Sequence, residues 1–494
     1  MSLEAVDGPH WSDGQPGRAA GRFPLAVESF AMARVAELLP GVTTVTPHAK
    51  YYALHAWVAG EVARGAEPDV WDFLRRCEVV VGAASAIHLG KDPDAHRGLA
   101  SAHGQDAIAG AMQRDGLLPL ADLAAQEVYA QAKRGFLGPY LGSERGLGLV
   151  TDYDGGLQPG ALLSLDGMPP AAFAQLRDLV HRDELDLDRL DDRTDLCVCG
   201  DNAPERQWLT GVLFPATCEP ASPADKRKQT AKMLLRLVDL YEPDDVSRGL
   251  DRHLVSDRRV RDDTLLGGLE VVPAWRGVVL RSWFAWAWRD LWAWLVNDAL
   301  ASAMPTRDLS QTVAPLLPNM STSAFLSDLP PPMLEAQPAD AEFHDEVMAF
   351  SGGGRYVARL ILGAARVGEL APEEAAYFEN TPLERSNREL TPTWTRQFFD
   401  ERASMPIRDV AIELVDIVIR RAQRVASAKS TFRAGRLVVP SRVALRDGVI
   451  FRDSCEGGGP VSLRWNQLAQ ILCGLGYLER ADSHWSLADG MTLE

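Results

Sequence analysis

Lysine and cysteine are both scarce in this 494-residue chain. Only seven of its 51 basic residues are Lys, and the other 44 are Arg. With 41 Gly, 31 Pro and abundant Ala, this reads as GC-rich codon usage, so arginine richness alone says little about function. Six Cys are too few for a disulfide scaffold. The most apolar stretch, Gly277 to Ala303, is interrupted by Arg281, Arg289, Asp290 and Asp298. It falls short of the roughly 20 uncharged apolar residues of a membrane span and predicts a buried helix instead. Met1 to Gly21 carries Glu4, Asp7 and Asp13 without an apolar core, which argues against a secretory signal. A cytoplasmic protein without a membrane partner is therefore expected.

Complete catalytic motifs are also lacking. There is no G-x-S-x-G, H-E-x-x-H, Walker loop or nuclease-like D…E-x-K pattern. His48-Ala49-Lys50 has H-x-K spacing, but His55 stands where that motif needs an Asp. Ser351-Gly352-Gly353-Gly354-Arg355 lacks a GK[ST] and reads as a hinge. Glu342, His344, Asp345 and Glu346 read as a solvated helix start. Cys197 and Cys199 form a C-x-C with Cys218 following and His181 far off, and these thiols read as small buried apolar residues. No catalytic residue, cofactor or metal is assigned.

What is present is ordinary globular composition, 46% hydrophobic and 24% charged, which excludes global disorder. The length argues for about three domains. A formal net charge of −17 excludes a protein that binds polyanions over its whole surface. Helical periodicity dominates, so a mainly α, multi-domain fold with minor β is predicted. Residues 1–22 read as a flexible tail and 23–119 as an N-terminal helical region, in which Thr46-Pro47 opens a helix bearing His48, Tyr51, Tyr52 and His55. A further helix is expected at Leu120–Lys133. Residues 166–303 form a helical middle domain. Seven prolines mark 304–341 as a linker, 342–435 as a helical domain and 436–494 as a C-terminal domain. Six Trp within 20 residues read as a core helix, with Trp283, Trp286, Trp288 and Trp292 as candidates for a partner interface.

The chain carries an internal echo. Leu147-Gly148-Leu149-Val150 and Leu475-Gly476-Tyr477-Leu478 each follow a helical segment, and in each copy a second strand begins seven residues later, at Leu157 and Trp485. Helix, L-G, strand, turn and strand resembles the recognition helix and wing of winged-helix domains, over roughly 120–165 and 436–490. The resemblance implies a DNA-facing helix at Ser462–Cys473, with Arg464, Asn466, Gln467 and Gln470 on its polar side. The C-terminal copy departs from the family in one respect: Gly457-Gly458-Gly459-Pro460 occupies the place of one of its two helices.

From Ile417 to Arg446, 30 residues hold eight bases and no acid: Arg420, Arg421, Arg424, Lys429, Arg433, Arg436, Arg442 and Arg446. In an acidic chain this is the largest local inversion of sign, and it reads as a phosphate-contacting surface. The expected function is a non-enzymatic DNA-binding protein or subunit of a DNA-acting complex. It works with protein partners or as a homodimer. Paired winged helices around a helical middle look like kleisin-type subunits of condensin-like machines, and a bacterial antiphage-defence role fits as well. The alternatives are a metal-dependent nuclease whose site is invisible in sequence, and a protein-binding scaffold.

Overall fold

The segment AKYYALHAWVAGEVA has no polar face, so it can form a stable helix only where every side is covered. In the computed structural model it is the helix Ala49–Ala63, and its side chains from Ala49 to Glu61 are all buried. The structure describes residues 23–491 apart from 66–68, 113–115, 128–133, 154–155, 162–166, 170, 201, 380–388, 434–435 and 482–483. The expected tail at 1–22, the end of the Leu120–Lys133 helix and the Asp154-Gly155 turn lie outside the described residues. The fold is mainly α with small antiparallel sheets, as the periodicity predicts. The chain divides into two compact units: a first unit of Val35–Leu250, Arg259–Val272 and Leu463–Glu494, and a second of Met1–Arg34, Asp251–Arg258 and Pro273–Ser462.

In the first unit, the central helix is surrounded by the helices Val70–Lys91, Leu137–Gly146, Arg206–Leu213 and Trp465–Gly474. Its start differs from expectation. His48, not Thr46, is the N-cap residue, because the Thr46 hydroxyl accepts from the Thr43 amide at 2.9 Å and closes a preceding turn. The echo is a structural repeat. Helices Leu137–Gly146 and Trp465–Gly474 have equal length, and each ends in a glycine of positive φ, Gly148 and Gly476. Matching bonds close each helix: Gly148 N to Arg145 O and Leu149 N to Glu144 O, then Gly476 N to Cys473 O and Tyr477 N to Leu472 O. Hairpins Val150–Tyr153/Gly156–Pro159 and Leu478–Ala481/His484–Leu487 follow in the same register.

The second unit is built around the helices Gly352–Ala365, Pro392–Asp400 and Ile407–Ala428 and the tryptophan-rich part of Val271–Trp294. Three expectations are corrected here. The proline-rich 304–341 segment is not a linker. Its prolines sit where a missing amide is tolerated: Pro305 on the edge strand Ala303–Pro305 and Pro315 in the first turn of the 3-10 helix Ala314–Leu316. The 436–494 region is not one domain, since Val443–Arg446 and Val449–Arg452 join Ala303–Pro305 in a sheet of the second unit, whereas Leu463 onward belongs to the first. The glycine run is not a hinge, because a Cβ at Gly353 would lie 2.4 Å from the Trp294 ring.

The central helix brings charge into the interior of the first unit. His55 Nδ1 lies 2.7 Å from Glu144 Oε1, and its Nε2 lies 3.1 Å from Glu78 Oε1, all three residues being buried. Burial alone would lower the His55 pKa, but the two carboxylates outweigh it and push it up to about 9. A folded-state pKa above the ordinary value of about 6.5 gives stabilisation that is full below pH 6.5 and fades as pH rises through about 9. The thermal midpoint of the first unit is therefore expected to fall between pH 7 and pH 10, approximately. Replacing His55 by Ala leaves two buried carboxylates without their cation, and a loss of about 3–5 kcal/mol is expected in chemical denaturation.

Candidate functional site

Four potential metal donors converge in the first unit. His88 lies in the last turn of helix Val70–Lys91, and His96 ends the one-turn 3-10 helix Asp94–His96. Cys197 and Cys199 follow the 3-10 helix Thr194–Leu196. His88 Nδ1 and His96 Nε2 are 3.2 Å apart, Cys197 Sγ is 3.2 Å from His96 Nε2, and Cys199 Sγ is 3.4 Å from His88 Nδ1. All four donor atoms lie within 4.8 Å of one another, and Cys197 and Cys199 are free thiols.

The surroundings hold the C-x-C loop in place. Ser85 Oγ donates to Val81 O and accepts the Val198 amide at 3.1 Å. The Cys199 amide donates to Cys197 Sγ at 3.5 Å. Lys50 of the central helix donates to Asp195 O at 2.6 Å and pairs with buried Glu205. Gly200 has φ +76°, and a Cβ there would lie 2.3 Å from Gly474 O, so only glycine fits after the second cysteine. The contact from the Cys199 thiol holds Cys197 below the ordinary thiol range, outweighing burial. Cys197 and Cys199 are buried, as expected from sequence, but His88 and His96 escape sequence reasoning, and neither Cys218 nor His181 belongs to the group.

Beside this group lie the rings of buried His48, Tyr51 and Tyr140 and of half-buried His103. His48 and His103 rings are 5.6 Å apart, and His103 stacks on Phe136 at 4.3 Å. Burial lowers His48 to about 4. These rings form packing inside the unit, not a surface for stacking a base.

The residues expected to contact nucleic acid separate into two groups. Those of helix Trp465–Gly474 are engaged within the first unit: Arg464 donates to Val42 O at 2.8 Å, Gln467 donates to Thr44 O at 3.4 Å, and buried Gln470 accepts from the Ala100 amide at 2.8 Å. Asn466 between them is half-buried. The loops at 42–44 and 100 thus engage three of the four residues of the expected polar face, of which Gln470 alone is buried. In the second unit, Arg421 donates to Leu25 O, Lys429 to Phe23 O and Arg442 to Cys455 O, and Arg424 pairs with Glu389. Arg420 and Arg446 are exposed, and the backbone register sets Arg433 directly opposite Arg436.

The tryptophans expected at a partner interface belong to the core of the second unit. Trp283, Trp288 and Trp292 are buried, Trp283 donates to Asp251 at 2.8 Å, and Trp286 lies half-buried under the Arg359 guanidinium. Glu342 is buried in a two-pronged pair with Arg366 and is unavailable to a metal beside His344.

No protein-family model, curated protein or solved structure matches the chain. The geometry alone separates structural from binding roles in the C-terminal helix. Gln470→Ala removes a buried acceptor from the Ala100 amide and is expected to destabilise the first unit by about 1–3 kcal/mol in denaturant titration. An unchanged midpoint would contradict this placement.

Proposed function

We propose that this is a non-enzymatic protein that binds DNA, alone or as a subunit of a DNA-acting complex, through arginines on two β-hairpins of the second unit. The observation that carries the reading is the register of hairpin Thr431–Arg433/Arg436–Val438, which pairs Arg433 with Arg436 at the turn. Like charges directly opposite each other destabilise a strand pair. A phosphate backbone between them turns that repulsion into attraction. Hairpin Val443–Arg446/Val449–Arg452 adds exposed Arg446, which lies opposite Val449 beside the Asp447-Gly448 turn. Hairpin Thr431–Arg433/Arg436–Val438 follows helix Ile407–Ala428 within the stretch that lacks acidic residues, where exposed Arg420 also lies, and that stretch ends at Arg446 of the second hairpin, before Asp447. The net charge of −17 repels a polyanion elsewhere, which favours contact at this one surface.

The two helix–hairpin copies of the first unit are wing-like, but Arg464, Gln467 and Gln470 are bonded to backbone groups of the same unit, and Gln470 is buried. This favours phosphate contact without base readout, and it keeps a protein-binding scaffold as the second reading.

Fluorescence anisotropy with a labelled duplex at about 50 mM salt tests the proposal. Binding should weaken as salt rises, and the triple variant Arg433→Glu, Arg436→Glu, Arg446→Glu should reduce the log–log salt slope by about 3. No affinity of the intact chain at low salt, or equal slopes for both proteins, would contradict it.

A further inference from the structure

We propose that His88, His96, Cys197 and Cys199 bind one zinc ion in a closed tetrahedral site that fixes the seat of the C-terminal helix–hairpin. The donor set and its spacing carry the first half of this proposal. A tetrahedral zinc with bonds of about 2.3 Å to sulfur and about 2.0 Å to nitrogen requires nitrogen pairs about 3.3 Å apart and nitrogen–sulfur pairs about 3.5 Å apart. The corresponding separations here are 3.2 Å for the nitrogen pair, and 3.2 and 3.4 Å for two of the four nitrogen–sulfur pairs, with all donor atoms within 4.8 Å of one another. Once deprotonated, two thiolates and two imidazole lone pairs this close repel one another, and a cation between them removes that repulsion. Sulfur with imidazole selects zinc over the hard cations, which take oxygen.

The site is structural in character. Four protein donors complete the coordination shell and leave no position for water or substrate. His88, Cys197 and Cys199 are buried and His96 is half-buried, and Ser85 and Lys50 hold the backbone that presents the thiols.

Its reach within the unit carries the second half. The ligands lie on three segments, with His96 and Cys197 separated by 101 positions, so the ion closes a long loop. Residues 92–99 are largely exposed and contain only one short 3-10 turn. Yet this segment and the C-x-C loop are where the second helix–hairpin copy rests. Gly98 packs under the Arg480 side chain, the Ala100 amide donates to Gln470, and Gly200 packs against Gly474. Releasing the ion frees both loops and loosens helix Trp465–Gly474 with its hairpin.

The test uses the full chain purified under reducing conditions. Elemental analysis should find about one zinc per chain. Cobalt added after chelation should give the visible bands of a tetrahedral site together with thiolate charge-transfer absorption, and zinc should abolish both. Cys197→Ser with Cys199→Ser should lose the metal, whereas Cys218→Ser should keep it. If the double variant does not fold, the cobalt spectrum of the unaltered chain decides. In hydrogen exchange, chelation should raise exchange at 92–101, 194–200 and 465–487 before the rest of the first unit. A folded chain without zinc and without cobalt absorption, a cobalt spectrum lacking thiolate bands, or metal retained in the folded double variant would overturn the site. Unchanged exchange at 465–487 after metal loss would overturn its role in seating the C-terminal element.

Discussion

A helix without a polar face must meet the needs of its polar side chains inside the protein. That constraint organises the first unit. Ala49–Ala63 carries Lys50, His55 and Glu61 into the interior, where an unpaired charge costs several kcal/mol. Each one fixes a neighbour. His55 requires Glu78 of Val70–Lys91 and Glu144 of Leu137–Gly146. Lys50 requires Glu205, and it also holds the carbonyl of Asp195 two residues before Cys197. Glu61 meets Arg64 and Arg177. The buried charges therefore set which helices surround the core, and through Asp195 they set where the C-x-C loop comes to rest.

Local chemistry made part of this legible in the sequence. The helix–hairpin repeat was visible because L-G at a helix end has a backbone consequence: glycine takes positive φ and the closing hydrogen bonds follow. The absence of a polar face on Ala49–Ala63 was readable in the same way. The metal donors were not, since His88 and Cys199 are 111 positions apart and nothing local ties a helix end to a C-x-C. The polar side of Trp465–Gly474 misled for a related reason. Amphipathicity shows that one face needs polar company, and backbone groups at Val42, Thr44 and Ala100 supply it as well as water or a nucleic acid would. Proline density misled too, because edge strands and first turns accept prolines within a packed unit.

The scarcity of lysine also matters for function. Several of the described arginines are buried or half-buried donors to carbonyls, as Arg421, Arg366 and Arg396 show. Counting arginines along 417–446 therefore overstates the charge that the surface can offer. The backbone register that sets Arg433 opposite Arg436 is the feature on which the proposed DNA contact rests.

The central claim is that Lys50, His55 and Glu61 of the central helix each meet an opposite charge inside the first unit, and that the neighbouring His88, His96, Cys197 and Cys199 are, as proposed, joined by a metal. X-ray absorption at the zinc edge of the intact chain tests it most directly. The account predicts a mixed shell of sulfur at about 2.3 Å and nitrogen at about 2.0 Å in equal number. A shell of oxygen and nitrogen alone, or no zinc edge from folded protein, would contradict it.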